Sequence, residues 1–146
     1  MNEELRLKDL REDHFYTQHQ LCDKLNILRS TYSKYELEIN TVPLDILCKL
    51  SNLYQVSIDY ICGITNYRQP YGKYKEFNYS TLLENIKKLR LEKDYTQEQL
   101  SNELSCGQNT ISEYENGERK ISIDFVILLS KFYKVPTDYI IGIIDL

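Results

Sequence analysis

The sequence repeats itself at a fixed offset of 79 residues, and this duplication constrains the fold more than any other feature. Tyr16–Leu21 (YTQHQL) is matched by Tyr95–Leu100 (YTQEQL), and no gap is needed between Leu7/Ile86 and Ile64/Ile143. About 23 of the roughly 58 aligned positions are identical, far more than chance gives at one offset. Each copy must therefore bury a core of its own, at a size near the lower limit for an independent domain.

The repeat predicts a first domain over residues 1–64, a linker over 65–79 and a second domain over 80–146. Four tyrosines lie in the linker together with three basic residues: Tyr67, Arg68, Tyr71, Lys73, Tyr74, Lys75 and Tyr79. So many aromatic side chains argue against a loose tether and predict that the linker packs on the domains.

Hydrophobic periodicity predicts helices throughout the second repeat. Leu82, Ile86 and Leu89 follow helical spacing, with Ser80 or Thr81 as the N-cap of this first helix. Thr96 followed by Gln97-Glu98-Gln99 is a capping box that begins the second helix.

Three further helices complete this repeat. The third runs from about Gly107 to Glu115 and ends at Asn116-Gly117, a pair that favours the left-handed backbone conformation. The apolar run over residues 125–132 predicts a buried fourth helix, and a short fifth helix begins at Pro136 and ends at Gly142. The predicted fold class is all-α, with five helices per repeat.

The second and third helices are separated by only a few residues, which is the helix-turn-helix arrangement. Each repeat resembles the Cro/repressor-type (lambda-repressor-like, Xre family) helix-turn-helix domain. The resemblance rests on Thr96-Gln97-x-x-Leu100-x-x-x-Leu104, Ile111-Ser112-x-Tyr114-Glu115-Asn116-Gly117 and Val135-Pro136-x-Asp138-Tyr139-Ile140. It covers nearly the whole chain apart from the linker.

The resemblance implies that the third helix enters the major groove of double-stranded DNA. Gln97 is expected to contact a backbone phosphate, and Gln108, Asn109 and Glu113 correspond to the family's base-contacting positions. Thr110 and Ser112 are expected to reach a phosphate or a thymine methyl group. The expected phosphate contacts beyond the helix are Arg119 and Lys120, with Arg90 and Lys93 as weaker candidates.

The first repeat keeps the framework and changes the exposed face. Its corresponding candidates for DNA contact are Gln18, Arg29, Ser30, Thr31 and Lys34. Either the two repeats recognise different half-sites, or one is specific and the other holds DNA by charge alone. Leu37-Glu38 replaces Asn116-Gly117, Asn40-Thr41 replaces Arg119-Lys120, and Tyr32 replaces Ile111 at a position expected to be buried. Whether the first repeat binds DNA is therefore left open.

The linker could contribute to DNA binding in one of two ways. Roughly 15 residues extend to at most about 50 Å, and successive major grooves on one face of DNA are about 34–36 Å apart. One chain could therefore imitate a repressor dimer. A connector without DNA contact and a basic arm that reaches a phosphate both remain open.

Composition narrows the class of function. The net charge is −4 and the pI is about 5.2, so DNA binding would depend on a local basic face. The four cysteines lack a C-x-x-C pair, and three of them align with isoleucines in the other repeat, which marks them as small core residues. We expect no metal, cofactor, small-molecule ligand or membrane association. The N-terminus lacks a signal-peptide pattern, so a cytoplasmic location is expected.

The leading hypothesis is a sequence-specific, double-stranded DNA-binding transcriptional regulator, most simply a repressor, without catalytic activity. The alternative is a protein-interaction module, antirepressor- or antitoxin-like, that keeps the fold after its DNA-binding face has degenerated. The apolar tail Tyr139–Leu146 either closes the second repeat or forms a self-association surface, so a homodimer is possible.

Overall fold

The computed structural model describes residues 4–145, and the chain divides into two compact units. The N-terminal unit comprises Met1–Tyr74 and the C-terminal unit Lys75–Leu146. All regular secondary structure in the described residues is helical, which confirms the all-α prediction and the two tandem helical domains.

The N-terminal unit contains five helices within its described part. Their bounds are α1 Leu7–Asp13, α2 Gln18–Leu25, α3 Arg29–Glu36, α4 Leu44–Tyr54 and α5 Ile58–Ile61.

Five helices in the same order form the described part of the C-terminal unit. Their bounds are α6 Tyr79–Glu92, α7 Gln97–Glu103, α8 Gln108–Glu115, α9 Ile123–Tyr133 and α10 Thr137–Ile141.

A capping side chain accounts for five of the ten helix starts in residues 4–145. Thr96 forms the predicted capping box with Gln99 at the third helical position, and Thr17 forms the equivalent one with Gln20. The start of α6 was predicted wrongly. Asn78, rather than Ser80 or Thr81, caps this helix by accepting from the Ser80 amide at 2.9 Å, because a side-chain oxygen just before Tyr79 reaches the first free N–H groups.

The core of the C-terminal unit is built mainly from α6 and α9. Leu82, Ile86, Val126 and Leu129 are buried there. The fourth helix forms part of this core, as its apolar run predicts, and one of its faces stays in solvent. Leu128 is 41% exposed, because a helix at the surface of so small a unit keeps one stripe in solvent.

Four isoleucines of the C-terminal tail belong to the core of their own unit, and Leu146 lies outside the described residues. Ile140, Ile141, Ile143 and Ile144 are all at most 3% exposed. Of the two roles left open by the sequence, closing the second repeat is therefore the one that the structure supports.

Residues 65–79 pack on the units, as their tyrosine content predicts. The Tyr71 hydroxyl donates to Asp59 at 2.8 Å, and the Ser57 amide donates to the Arg68 carbonyl at 3.2 Å, within the N-terminal unit. The Lys75 amide donates to the Ile143 carbonyl at 2.7 Å within the C-terminal unit. Residues 65–74 of this segment therefore belong to the N-terminal unit, and residues 75–79 belong to the C-terminal unit.

Candidate nucleic-acid interface

In each unit the second and third helices form a helix-turn-helix. In the C-terminal unit α7 ends at Glu103 and α8 begins at Gln108, and Ser105 in the turn has φ 55°. In the N-terminal unit Asn26 follows α2 with φ 55° and ψ 47°. Both turns thus use the left-handed conformation, which Asn tolerates better than most residues.

A buried ion pair fixes α8 against α6. Glu115 accepts from Nε of Arg90 at 2.7 Å and from Nη2 at 2.9 Å, and the two side chains are 8% and 4% exposed. The hydrogen bond to Glu115 raises the pKa of Arg90, while desolvation opposes this. A third guanidinium donor, Nη1, reaches the Tyr95 carbonyl at 2.8 Å, so the pair also holds the chain just before α7.

The same carboxylate orients Gln97 at the start of α7. The side-chain amide of Gln97 donates to Glu115 at 3.4 Å and is half-buried. Its second N–H remains available for an acceptor such as a phosphate oxygen.

The N-terminal unit repeats this arrangement 79 residues earlier. Arg11 donates to Glu36 at 2.9 Å, and Gln18 donates to the same carboxylate at 2.9 Å. Burial lowers the pKa of Arg11, but the hydrogen bond and charge of Glu36 more than offset this, so that its pKa is raised.

Arg90 cannot serve as the phosphate contact considered from the sequence. Its guanidinium is buried and directed at Glu115 and the Tyr95 carbonyl. Glu115 has a structural role, because its carboxylate partners a buried cation that would otherwise be uncompensated. Lys93 is exposed at the C-cap of α6.

The predicted base-contacting side chains lie at the start of α8. Gln108 and Asn109 are exposed, and Thr110 is half-buried. Gly107 occupies the N-cap without a side-chain cap, so no capping side chain covers this end. Both exposed amides can donate and accept at once, which suits the N6 and N7 edge of adenine.

The remaining candidates of the C-terminal unit lie along and beyond α8. Glu113 accepts from Nε of Arg119 at 2.8 Å, and the Arg119 guanidinium lies 5.9 Å from the centre of the Tyr114 ring. Half-buried Ser112 accepts from Asn116 at 3.3 Å, and Lys120 is exposed. A predicted base contact and a predicted phosphate contact thus neutralise each other.

In the N-terminal unit, α3 presents a more basic face. Arg29, Ser30 and Lys34 are exposed, and Thr31 is half-buried. No ion pair to Arg29 or Lys34 occurs among residues 4–145. Arg29 also borders an open cleft of about 400 Å³ that Gln18 helps to line, so these two candidates lie on one side of the unit.

The loss of the stop glycine does not disrupt the N-terminal unit. Glu38 takes the left-handed conformation with φ 57°, where its counterpart Gly117 has φ 76°. Tyr32 is fully buried, as predicted for its position, and its ring meets Tyr35 edge-on at 6.4 Å. The framework is therefore retained in both units despite the divergent sequence.

A set of exposed apolar residues in the N-terminal unit was missed from the sequence. Phe15, Leu28, Leu37 and Ile39 are 91%, 72%, 67% and 65% exposed. The aligned residues of the C-terminal unit are Asp94, Gly107, Asn116 and Glu118, none of them apolar side chains. We call the four residues the apolar quartet. The repeat alignment already contained this signal, since four turn positions change from polar or glycine to large apolar residues.

Comparison with known proteins defines the class to which this fold and site belong. The family model described as Helix-turn-helix matches twice, over residues 7–61 and 86–140. The chain therefore belongs to this helix-turn-helix family, with one copy of the domain in each unit.

Curated relatives share local sequence with this chain. It is 46% identical over 65 residues to the uncharacterized HTH-type transcriptional regulator YobD of Bacillus subtilis (strain 168), covering 44% of this chain and 58% of YobD. It is 47% identical over 58 residues to the HTH-type transcriptional regulator ImmR of the same organism, covering 40% and 46%. The cryptic phage CTXphi transcriptional repressor RstR of Vibrio cholerae is 41% identical over 51 residues, covering 35% and 46%. The chain spans about half the length of these relatives.

Within residues 4–145, no helix combines the length and hydropathy needed to cross a bilayer.

Proposed function

We propose that the protein is a sequence-specific, double-stranded DNA-binding transcriptional regulator that acts as a repressor. The observation that carries this proposal is the exposed start of the third helix on a helix-turn-helix frame locked by a buried ion pair. Rigid support matters because hydrogen bonds to base edges require side chains held in a defined geometry. Three relatives are named as transcriptional regulators or repressors, which supports the same function.

In this proposal the two kinds of contact have separate tasks. Gln97 and Gln18 bind backbone phosphates and set the position of each unit, and Arg119 and Lys120 add charge contacts of the same kind. Gln108, Asn109, Thr110, Ser112 and Glu113 of α8, and Arg29, Ser30, Thr31 and Lys34 of α3, face the major groove.

Repression would follow from occupation of a promoter, without catalysis and without a cofactor. We place the protein in the cytoplasm, where its DNA target is accessible, and a homodimer is compatible with this mechanism. The domain limits 1–64 and 80–146, with a linker over 65–79, stay predictions.

The proposal is tested by binding-site selection from random duplex with the full chain, followed by titration of the selected duplex. We expect an enriched motif and an affinity that falls steeply with salt, because basic contacts release counterions from DNA. Failure to bind any duplex at low salt would refute the proposal.

A second function is favoured by the apolar quartet, which would make the N-terminal unit a protein-interaction module. Large apolar side chains at 65% exposure or more gain little from a phosphate backbone and gain more from an apolar partner surface. A variant in which the quartet is replaced by the aligned residues of the C-terminal unit (Phe15→Asp, Leu28→Gly, Leu37→Asn and Ile39→Glu) distinguishes DNA binding from protein interaction. Unchanged or improved DNA affinity together with loss of self-association or partner binding would support the interaction module.

A further inference from the structure

We propose that the two units recognise chemically different half-sites. The N-terminal unit would bind a guanine-containing half-site through Arg29 and Lys34, and the C-terminal unit an adenine-containing half-site through Gln108 and Asn109. This inference rests on the proposed DNA-binding function and specifies the DNA that the chain would bind.

The two third helices are presented to a ligand in the same way. Both α3 and α8 contain eight residues and begin at equivalent positions, Arg29 and Gln108. Their N-caps have nearly equal backbone angles, φ −73° and ψ 141° at Leu28 against φ −70° and ψ 145° at Gly107. A difference in recognition must therefore come from the side chains and not from the backbone.

The same ion-pair frame supports both helices within their own units. Glu36 and Glu115 lie at the ends of α3 and α8, and each binds an arginine of the first helix and a glutamine of the second. Arg29 and Gln108 are both exposed, as are Ser30 and Asn109, whereas Lys34 is exposed and Glu113 half-buried. Each residue can therefore be compared with its counterpart in the other repeat.

The exposed side chains differ in hydrogen-bonding type. Arg29 and Lys34 can only donate. Guanine offers two acceptors, N7 and O6, on its major-groove edge, whereas adenine offers one acceptor and one donor. Two donor-only side chains therefore favour guanine, and the amides of Gln108 and Asn109 favour adenine.

The charge balance strengthens this difference. In the C-terminal unit, Arg119 neutralises Glu113 at 2.8 Å. The aligned residues of the N-terminal unit are Lys34 and Asn40, so no carboxylate lies at this point of its face. The positive charge of Arg29 and Lys34 is thus uncompensated by an ion pair within residues 4–145, which favours an electron-rich acceptor pair.

Exchange of the exposed residues between the repeats tests the inference. One variant carries Arg29→Gln, Ser30→Asn and Lys34→Glu, and the reciprocal variant carries Gln108→Arg, Asn109→Ser and Glu113→Lys. These positions are exposed or half-buried, and circular dichroism checks that both variants fold. Binding-site selection is run with the full-length wild type and both variants.

We expect the wild type to select a site with two dissimilar halves, one containing guanine and one containing adenine. Each exchange should make the halves alike, with two adenine-containing halves in the first variant and two guanine-containing halves in the second. Two identical halves in the wild-type site, or one specific half beside random sequence, would overturn the inference while leaving DNA binding intact. Absence of any enriched sequence would overturn the proposed function itself.

An atomic substitution in the DNA gives an independent measurement. Replacing guanine by 7-deazaguanine in the guanine half removes the N7 acceptor and should weaken wild-type binding by roughly tenfold, the lower part of the range for one bidentate contact. Arg29→Ala should bind normal and substituted duplex equally, and 7-deazaguanine outside the site is the control. An equal loss for wild type and Arg29→Ala would contradict the assignment of Arg29.

Discussion

Arg90 and Glu115 form a two-point ion pair, with both guanidinium–carboxylate distances below 3 Å and both side chains less than 10% exposed. Arg11 and Glu36 form the corresponding ion pair in the other unit, where Nε of Arg11 alone contacts both carboxylate oxygens, at 2.9 and 3.2 Å. Because the same carboxylates bind Gln97 and Gln18, one buried pair in each unit links the core to the candidate DNA-binding surface.

Glu115→Ala should destabilise the C-terminal unit by about 3–5 kcal/mol, because it leaves the buried guanidinium of Arg90 without a counter-charge. Hydrogen exchange in urea, followed by mass spectrometry, checks this: peptides from α6 to α9 should exchange faster. The N-terminal unit is the internal control. Arg90→Met with Glu115→Leu should recover much of the loss, and equal destabilisation by the single and double variants would contradict the charge explanation.

Glu38→Gly should stabilise the N-terminal unit by about 1 kcal/mol. Glu38 has φ 57°, a conformation that costs a residue with a Cβ roughly 1–2 kcal/mol and costs glycine little. Gly117→Glu is the mirror change and should destabilise the C-terminal unit, because φ is 76° and a Cβ would lie 3.2 Å from Leu83. Urea unfolding measures both, and a loss of stability in Glu38→Gly would show that its side chain makes a compensating contact.

Gln108→Ala should relax specificity at one base pair and cost about 1–3 kcal/mol of binding free energy on the preferred duplex. The reason is that the exposed amide donates and accepts at once. Binding-site selection with the variant provides the measurement. Lys134→Asn is a matched control, since Lys134 is an exposed αL C-cap residue of α9 (φ 58°) and Asn tolerates that conformation. An unchanged sequence preference in Gln108→Ala would remove Gln108 from the base contacts.

Arg119→Ala should weaken binding to all sequences alike and reduce the slope of log K against log salt by about one. Arg119→Ala alone should lower the DNA affinity more than the double variant Arg119→Ala with Glu113→Gln does. Loss of Arg119 alone exposes the Glu113 carboxylate, which lies 2.8 Å away, to repulsion by DNA phosphates. Fluorescence anisotropy at several salt concentrations provides the double-mutant cycle. If the effects of Arg119→Ala and Glu113→Gln on binding free energy simply add, the Arg119–Glu113 ion pair does not persist in the DNA complex.

Alkaline pH should destabilise the C-terminal unit through Tyr133. Burial raises the pKa of this phenol to about 12, against about 10 in an unfolded chain. Below pH 10 both states are protonated and stability is unaffected. Between about pH 10 and 12 only the unfolded state loses the proton, so stability falls as the pH rises.

Tyr133→Phe should reduce this dependence in urea unfolding at pH 9 and pH 11. It should cost little at neutral pH, because the buried hydroxyl has no hydrogen-bond partner among the described residues. If the stability of Tyr133→Phe falls with pH as steeply as that of the wild type, groups other than Tyr133 cause the alkaline destabilisation.

The sequence predicted the helices that carry clear start and stop signals. Thr17 and Thr96 begin α2 and α7 because a capping box satisfies free N–H groups locally. The start of α6 was missed, because Asn78, Ser80 and Thr81 are all preferred N-cap residues and the sequence does not distinguish between them. In the structure the Tyr79 hydroxyl, in the first turn of α6, accepts from the Ile121 amide at 3.1 Å.

The candidate DNA-contacting residues were chosen from the sequence because they correspond to the contacting positions of the family that each repeat resembles, and their roles stay predictions. The roles of the arginines near these residues could not be predicted from the sequence. Arg90 and Arg119 are both arginines close to the helix-turn-helix, and only their partners show that the first is buried on Glu115 while the second remains at the surface on Glu113.

By itself the sequence determined that two copies of one helical domain exist, because identical residues at one offset and local capping signals need no long-range contact to be recognised. Only the tertiary structure decided which charged side chains pair with each other and which apolar side chains at the turns stay exposed. It pairs Arg11 with Glu36 and Arg90 with Glu115 across 25 residues of chain, and it exposes Phe15 and Leu28. Burial and ion pairing depend on which helices meet in space, and no local pattern in the chain encodes that meeting.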